Sequence, residues 1–201
     1  MNEQMRGNYV FLRGHVSTRP CLSHRSRGEE YYRFLLEVSR LSGAVDTLPV
    51  IARASLLDEL EVGGGDALAV TGEVRSFNNR SGTGPKLVIT VFAKTLCFED
   101  GPDENTVELT GTLCKEPVHR VTPMGREIAD LMLAVNRRCG RSDYLPCIAW
   151  GAGARTAAGW HTGDALRMQG RFQSRAYTKN IDGQAVEKVA YEISVIRLEL
   201  L

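Results

Sequence analysis

Apolar and polar residues alternate along much of the second half of the chain. Val107, Leu109, Gly111 and Leu113 interleave with Thr106, Glu108, Thr110 and Thr112, the two-residue period of a half-buried strand. After a turn-rich stretch through Pro117, Pro123 and Gly125, the residues Ala129, Leu131, Leu133 and Val135 predict the inward face of a second strand. Residues 144–150 predict a third, with Tyr144, Pro146, Ile148 and Trp150 on one face and Leu145, Cys147 and Ala149 on the other. The Ala-rich run 152–158 suits a helix of one or two turns. Strands four and five are expected over 165–177 and 188–198, joined by a polar loop containing Asp182 and Gly183.

The first half carries the same pattern because it is the same unit. Sliding the chain along itself by 97 positions pairs Gly14 with Gly111, Pro20 with Pro117, Arg40 with Arg137, Asp46 with Asp143 and Pro49 with Pro146. Across positions 8–52 this offset gives 16 identities without a gap. One added residue then aligns Gly65-Asp66 with Gly163-Asp164 and Gly72 with Gly170. Chance does not hold glycines and prolines in register this way, so the two halves share a fold. Repeat one keeps the element order, with Ser55 to Leu60 as its helix. The segment 99–104, acidic and containing Gly101-Pro102, reads as a linker between a domain at 1–98 and a domain at 105–201.

Five strands with a short helix between the third and fourth define an all-β architecture: two tandem OB-fold Greek-key barrels. Glycines in the middle of strands one and four (Gly14/Gly111 and Gly72/Gly170) suit strands that bend sharply to close a small barrel.

Composition narrows the function classes. No run of about 18 apolar residues exists, so no membrane span is expected, and the opening Met1 to Arg6 lacks an apolar signal core. Five cysteines, an odd number without a CxxC pair, fit a reducing cytoplasm. The four histidines lack metal-ligand spacing, and there is no nucleophile motif, so neither catalysis nor a metal or other cofactor is expected. The glycines at 63–65 read as a turn, and the loop 78–86 as flexible and basic enough to close over a strand; neither reads as a phosphate cradle, since no Ser or Thr follows Lys86 and no helix follows the loop. Net charge is only +1, with 12 basic and 14 acidic residues in 1–104 against 13 and 10 in 105–201. Any anion-binding face must therefore be a local patch.

Particular residues then resemble a known family. Leu133-Ala134-Val135-Asn136-Arg137, Pro146 to Gly151, Gly163-Asp164, Gly170 to Tyr177 and Ala190 to Val195 are similar to the bacterial single-stranded DNA-binding proteins and their relative, primosomal replication protein N. The resemblance covers nearly all of the second unit and only the framework of the first. It implies sequence-tolerant binding of single-stranded DNA in replication, repair or recombination. It also places Tyr144, Trp150 and Tyr177 where the family carries base-stacking aromatics; a further such position falls near Cys139 and is lost. The replicative members end in a long acidic-tipped tail, whereas this chain stops at Leu201, so recruitment of partners through such a tail is not expected. A homodimer with four barrels is expected instead.

Single-strand binding needs π-faces for bases and cations along the phosphates. Arg171 and Arg175 lie on the strand-four parity that ends in Tyr177, while Arg137, Arg138 and Arg141 sit in the loop between strands two and three. The first unit looks poorer: Arg53 replaces Trp150, Thr47 replaces Tyr144 and Asn79 replaces Tyr177, leaving Arg53, Arg75 and Phe77 as its candidates, with Phe11 and Tyr31 at outward parity either to stack or to cover an interface. Two other readings stay open at this point. One is a primosomal-type protein-interaction scaffold with secondary DNA contact; the other is an RNA-binding module, since an OB-fold does not fix its ligand.

Overall fold

The computed structural model describes residues 7–58, 60–80, 84–181 and 183–201. Met1 to Arg6, Glu59 of the expected first helix, residues 81–83 of the 78–86 loop and Asp182 lie outside them. The first unit contains β1 (Asn8–Val16), β2 (Cys21–Ser26), β3 (Glu29–Ser39), β4 (Val45–Arg53), α1 (Ala54–Leu57), β5 (Ala67–Asn78) and β6 (Leu87–Phe98). The second repeats the order with β7 (Glu104–Leu113), β8 (Val118–Val121), β9 (Glu127–Asn136), β10 (Ser142–Trp150), α2 (Gly151–Ala157), β11 (Ala165–Ile181) and β12 (Gln184–Leu200).

Each unit closes into a barrel through β3–β1 in the first and β7–β9 in the second, with parallel contacts β4–β6 and β10–β12 completing the ring. The interior is filled by the expected alternating positions. Leu109, Leu133, Leu145, Leu166 and Phe172 are buried in one barrel, as Leu12, Leu36, Leu48, Leu68 and Val74 are in the other.

Closure depends on the four mid-strand glycines. A Cβ on Gly72 would lie 2.2 Å from the carbonyl oxygen of Phe92, and one on Gly170 would lie 2.3 Å from that of Ser194. At Gly14 and Gly111 the corresponding approaches are 2.1 Å to Glu37 and 2.4 Å to Ala134. The ladder slips by one residue next to Gly72 and again next to Gly170. Only glycine lets the strands cross so closely.

Four local expectations change. The turn-rich stretches after the first strand of each unit contain the short strands β2 and β8, which flank the five barrel strands. The expected helix over 55–60 is the four-residue α1, Ala54–Leu57, shorter than its seven-residue counterpart α2. The polar loop near Gly183 is a tight turn instead: β11 and β12 stay paired out to Ile181↔Gln184 as a two-stranded arm. The acidic stretch between the units is tied down, since Arg13 binds Glu99, Glu104 and the Pro102 carbonyl, and Asp103 accepts from the Ser39 amide at 2.7 Å. Glu99 and Glu104 there pair with Arg13, so that part of the acidic stretch is balanced by a cation of the first barrel.

The two barrels share one sheet. β1 and β7 pair antiparallel from Asn8↔Leu109 to Arg13↔Glu104. Val10 pairs with Val107, the same position of the repeat, so this pair marks an internal two-fold relation. A reciprocal clamp follows from it. Asp143 pairs with Arg137 of its own unit, and its Oδ1 also accepts from the Ser76 amide of the other at 2.6 Å. Arg137 donates to the Ser76 carbonyl at 3.0 Å, and the Ser76 hydroxyl accepts from the Tyr144 amide at 2.7 Å. The mirror set joins Asp46, Arg40, Thr47 and Ser174 in the opposite sense. Asp46 and Asp143 are each 1% exposed.

A carboxylate buried this deeply is stable only while its partners remain. Asp143→Ala strands the Arg137 charge and the Ser76 amide, and is expected to lower unfolding stability by about 3 kcal/mol in urea denaturation.

Candidate nucleic-acid interface

The strand pleat decides which side chains face outward. On β10, Leu145, Cys147 and Ala149 point into the barrel, which leaves Tyr144 and Trp150 outside at 49% and 39% exposure. Burial pushes the Cys147 thiol far above its ordinary value, as expected of a core residue. Trp150 ends β10, and its Nε1 donates to the Ser194 hydroxyl of β12 at 3.2 Å, so the indole is held over the sheet. On β11, Leu166, Met168 and Phe172 fill the interior and Arg167, Gln169, Arg171, Gln173 and Arg175 take the other face. Tyr177 stands at 38% exposure where β11 leaves the barrel, with the Arg175 guanidinium 5.7 Å from its ring centre.

The structure brings part of the sequence-derived set together across the barrel boundary. Phe77, 53% exposed on β5, shares a groove of about 430 Å³ with Tyr144. Arg80, Arg137 and Arg141 line the same groove. One aromatic lining this groove therefore comes from each unit, and the Asp143–Ser76 clamp joins the strands that carry them. Trp150 and Tyr177 are not part of this groove.

The arginines divide by what already holds them. Arg137 is committed to the clamp, and its hydrogen bond to Asp143 raises its already high proton affinity. Arg138 and Arg141, in the turn between β9 and β10, are exposed. Arg171 is half-buried, and its Nε has no hydrogen-bond partner. Arg175 lies 3.4 Å from Glu192. Arg53 is exposed at the end of β4, opposite Tyr31 in the β3–β4 ladder. Arg75 lies against the Phe92 ring, 4.0 Å from its centre, and pairs with Glu73 at 2.8 Å.

Acid is present on both faces but is neutralised. Glu192 of β12 accepts from Gln173 at 2.9 Å and from Arg175. Burial works against the Glu73 charge, yet the hydrogen bond and charge of Arg75, with Lys94 at 3.4 Å, hold its carboxyl below the usual range. Neither carboxylate presents an uncompensated charge to a polyanion.

Sequence reasoning passed over Phe92. Its signal was parity: Val91 and Ala93 are buried in the barrel, so the ring between them faces outward. Tyr31, expected from its parity to stack or to cover an interface, packs on Phe92 at 5.9 Å and on His24 at 4.7 Å. Among the described residues no cluster of His, Cys, Asp or Glu could hold a metal ion, and no helix is long and apolar enough to cross a membrane.

Comparison with known proteins agrees with this architecture. Residues 104–201 match the model of the single-strand binding protein family. Single-stranded DNA-binding protein 2 of Listeria innocua is 36% identical over 89 residues, 41% of this chain and 55% of its own length. Single-stranded DNA-binding protein A of Bacillus subtilis is 37% identical over 89 residues, 41% of this chain and 51% of its own. The chain thus spans about half the length of these relatives. The wild-type single-stranded DNA binding protein of Thermus aquaticus superposes with a TM-score of 0.79 at 23% identity, covering 96% of this chain and 92% of that one. At that identity the likeness establishes the tandem-barrel fold.

Proposed function

We propose that this chain binds single-stranded DNA with little regard to sequence, bases stacking on outward aromatics and phosphates following the arginines. The observation that carries the reading is the groove between the barrels, where Phe77 and Tyr144 stand half-exposed beside Arg80 and Arg141. Every base has a π-face, so a row of rings holds a strand without reading it. Arg138, Arg171 and Arg175 extend the cationic track on the second barrel, and Trp150 and Tyr177 add platforms along it. The names of the Listeria and Bacillus relatives support the same ligand.

Two chains pairing as a homodimer, four barrels in all, belong to the same reading. Its support is Ile196, 66% exposed on β12 beside a cavity of about 530 Å³ lined by Arg167, Leu198 and Gly153. Light scattering in solution is expected to give twice the chain mass, and a monomer removes the four-barrel assembly.

Binding is read by titrating oligo-dT at several salt concentrations. Affinity should fall as salt rises, since cations on the protein displace counterions from the phosphates. Trp150→Ala is expected to weaken binding by about tenfold or more, the loss of one stacked base. Unchanged affinity would remove Trp150 from the platform even if binding itself is real.

A base shared by the two barrels makes a second demand. Phe77→Ala and Tyr144→Ala should each weaken binding, and the double variant should lose less than their sum by about 1 kcal/mol. Strict additivity in that cycle would show that the two rings hold separate bases.

A further inference from the structure

The two repeats differ at one exchange of side-chain size. In the second barrel Trp150 ends β10 and covers the small Ser194 of β12. Position 150 corresponds to Arg53 in the first barrel. The parallel pairs Ile51↔Phe92 and Ile148↔Ser194 occupy equivalent places, so Phe92 stands where Ser194 does. One barrel therefore has a large ring on its third strand over a small residue on its fifth. The other has a cation on the third and the ring on the fifth. An aromatic thus covers the same region of the barrel face in both units, supplied by different strands.

From this exchange, and resting on the single-stranded DNA reading above, we infer that the first barrel binds single-stranded DNA through a relocated platform of Phe92 and Tyr31. The ring on β6 contributes nothing to the core, which Val91 and Ala93 fill from the same strand. Its outer surroundings are those of a nucleotide site. Arg75 and Lys94 lie 4.0 and 5.4 Å from the ring centre, and Tyr31 adjoins it at a tilt of 42°. His24 of β2 stacks on one face of Tyr31 with an interplanar angle of 5°, which holds the tyrosine ring in place. Base planes stack on such rings and on the guanidinium above them, while exposed Arg53 and Lys94 are placed for the phosphates. Glu73, the acid in this patch, is balanced by Arg75 and Lys94. The platform is invisible to a search for family positions because the sequence at those positions reads Thr47, Arg53 and Asn79.

The test uses the full chain, with a fluorescent oligo-dT titrated against wild type, Phe92→Leu and Trp150→Ala in parallel. Leucine keeps apolar cover over Tyr31 and removes the π-face. Phe92→Leu is expected to weaken binding by about fivefold or more. A smaller loss in a variant that retains the wild-type circular dichroism spectrum overturns the proposal. Trp150→Ala separates the two readings: if it alone weakens binding, only the first-barrel platform fails. If the wild-type chain does not bind oligo-dT, both fail. Should Phe92→Leu not fold, Lys94→Gln decides. It is expected to reduce the slope of log affinity against log salt by about one, and an unchanged slope overturns the proposal.

Discussion

Everything this chain presents on its surface depends on the seam between its halves. β1 and β7 pair through Val10 and Val107, and the Asp46–Ser174 and Asp143–Ser76 bonds lock the barrels on either side of that pair. Charge-assisted bonds to deeply buried carboxylates are strong and directional, so they tie the relative orientation of the barrels to the seam. Without that constraint Phe77 and Tyr144 would belong to two separate small domains. With it they border one groove.

The seam also explains why Arg137 and Arg40 are kept in both repeats while the aromatics are not. The arginines serve the internal two-fold, which both halves must satisfy together. The aromatics serve a face, and a ring can reach that face from more than one strand. The Trp150/Ser194 and Arg53/Phe92 exchange shows such freedom: the outer surface is not close-packed, so ring and partner trade strands without disturbing the core. Duplicated barrels can diverge on their faces while their closures stay fixed. The four glycines at strand crossings mark the opposite extreme, where a single added carbon would meet a backbone carbonyl.

Much of the architecture was legible before any coordinates. Period-two alternation placed the barrel strands, and the 97-residue offset exposed the duplication, because backbone pairing and core burial act on neighbours within a strand. Parity alone put Tyr144, Trp150 and Tyr177 on the outside. The short strands β2 and β8 were not legible, since fully exposed edge strands carry no alternation to read. Nor was the length of the β11–β12 arm, whose polar residues look like loop and pair only with each other.

By itself, then, the sequence determined two closed barrels in tandem, their core positions and the outward parity of their rings, all consequences of local periodicity and of glycine at crowded crossings. Tertiary structure alone decided that Arg137 belongs to a clamp rather than to a free cationic loop, and that Glu99 and Glu104 of the acidic segment pair with Arg13. It alone placed Phe77 and Tyr144 around one groove, and Tyr31 beside Phe92. Those pairings join strands far apart in the chain, and no pattern along a single strand encodes which distant partner its outer face will meet.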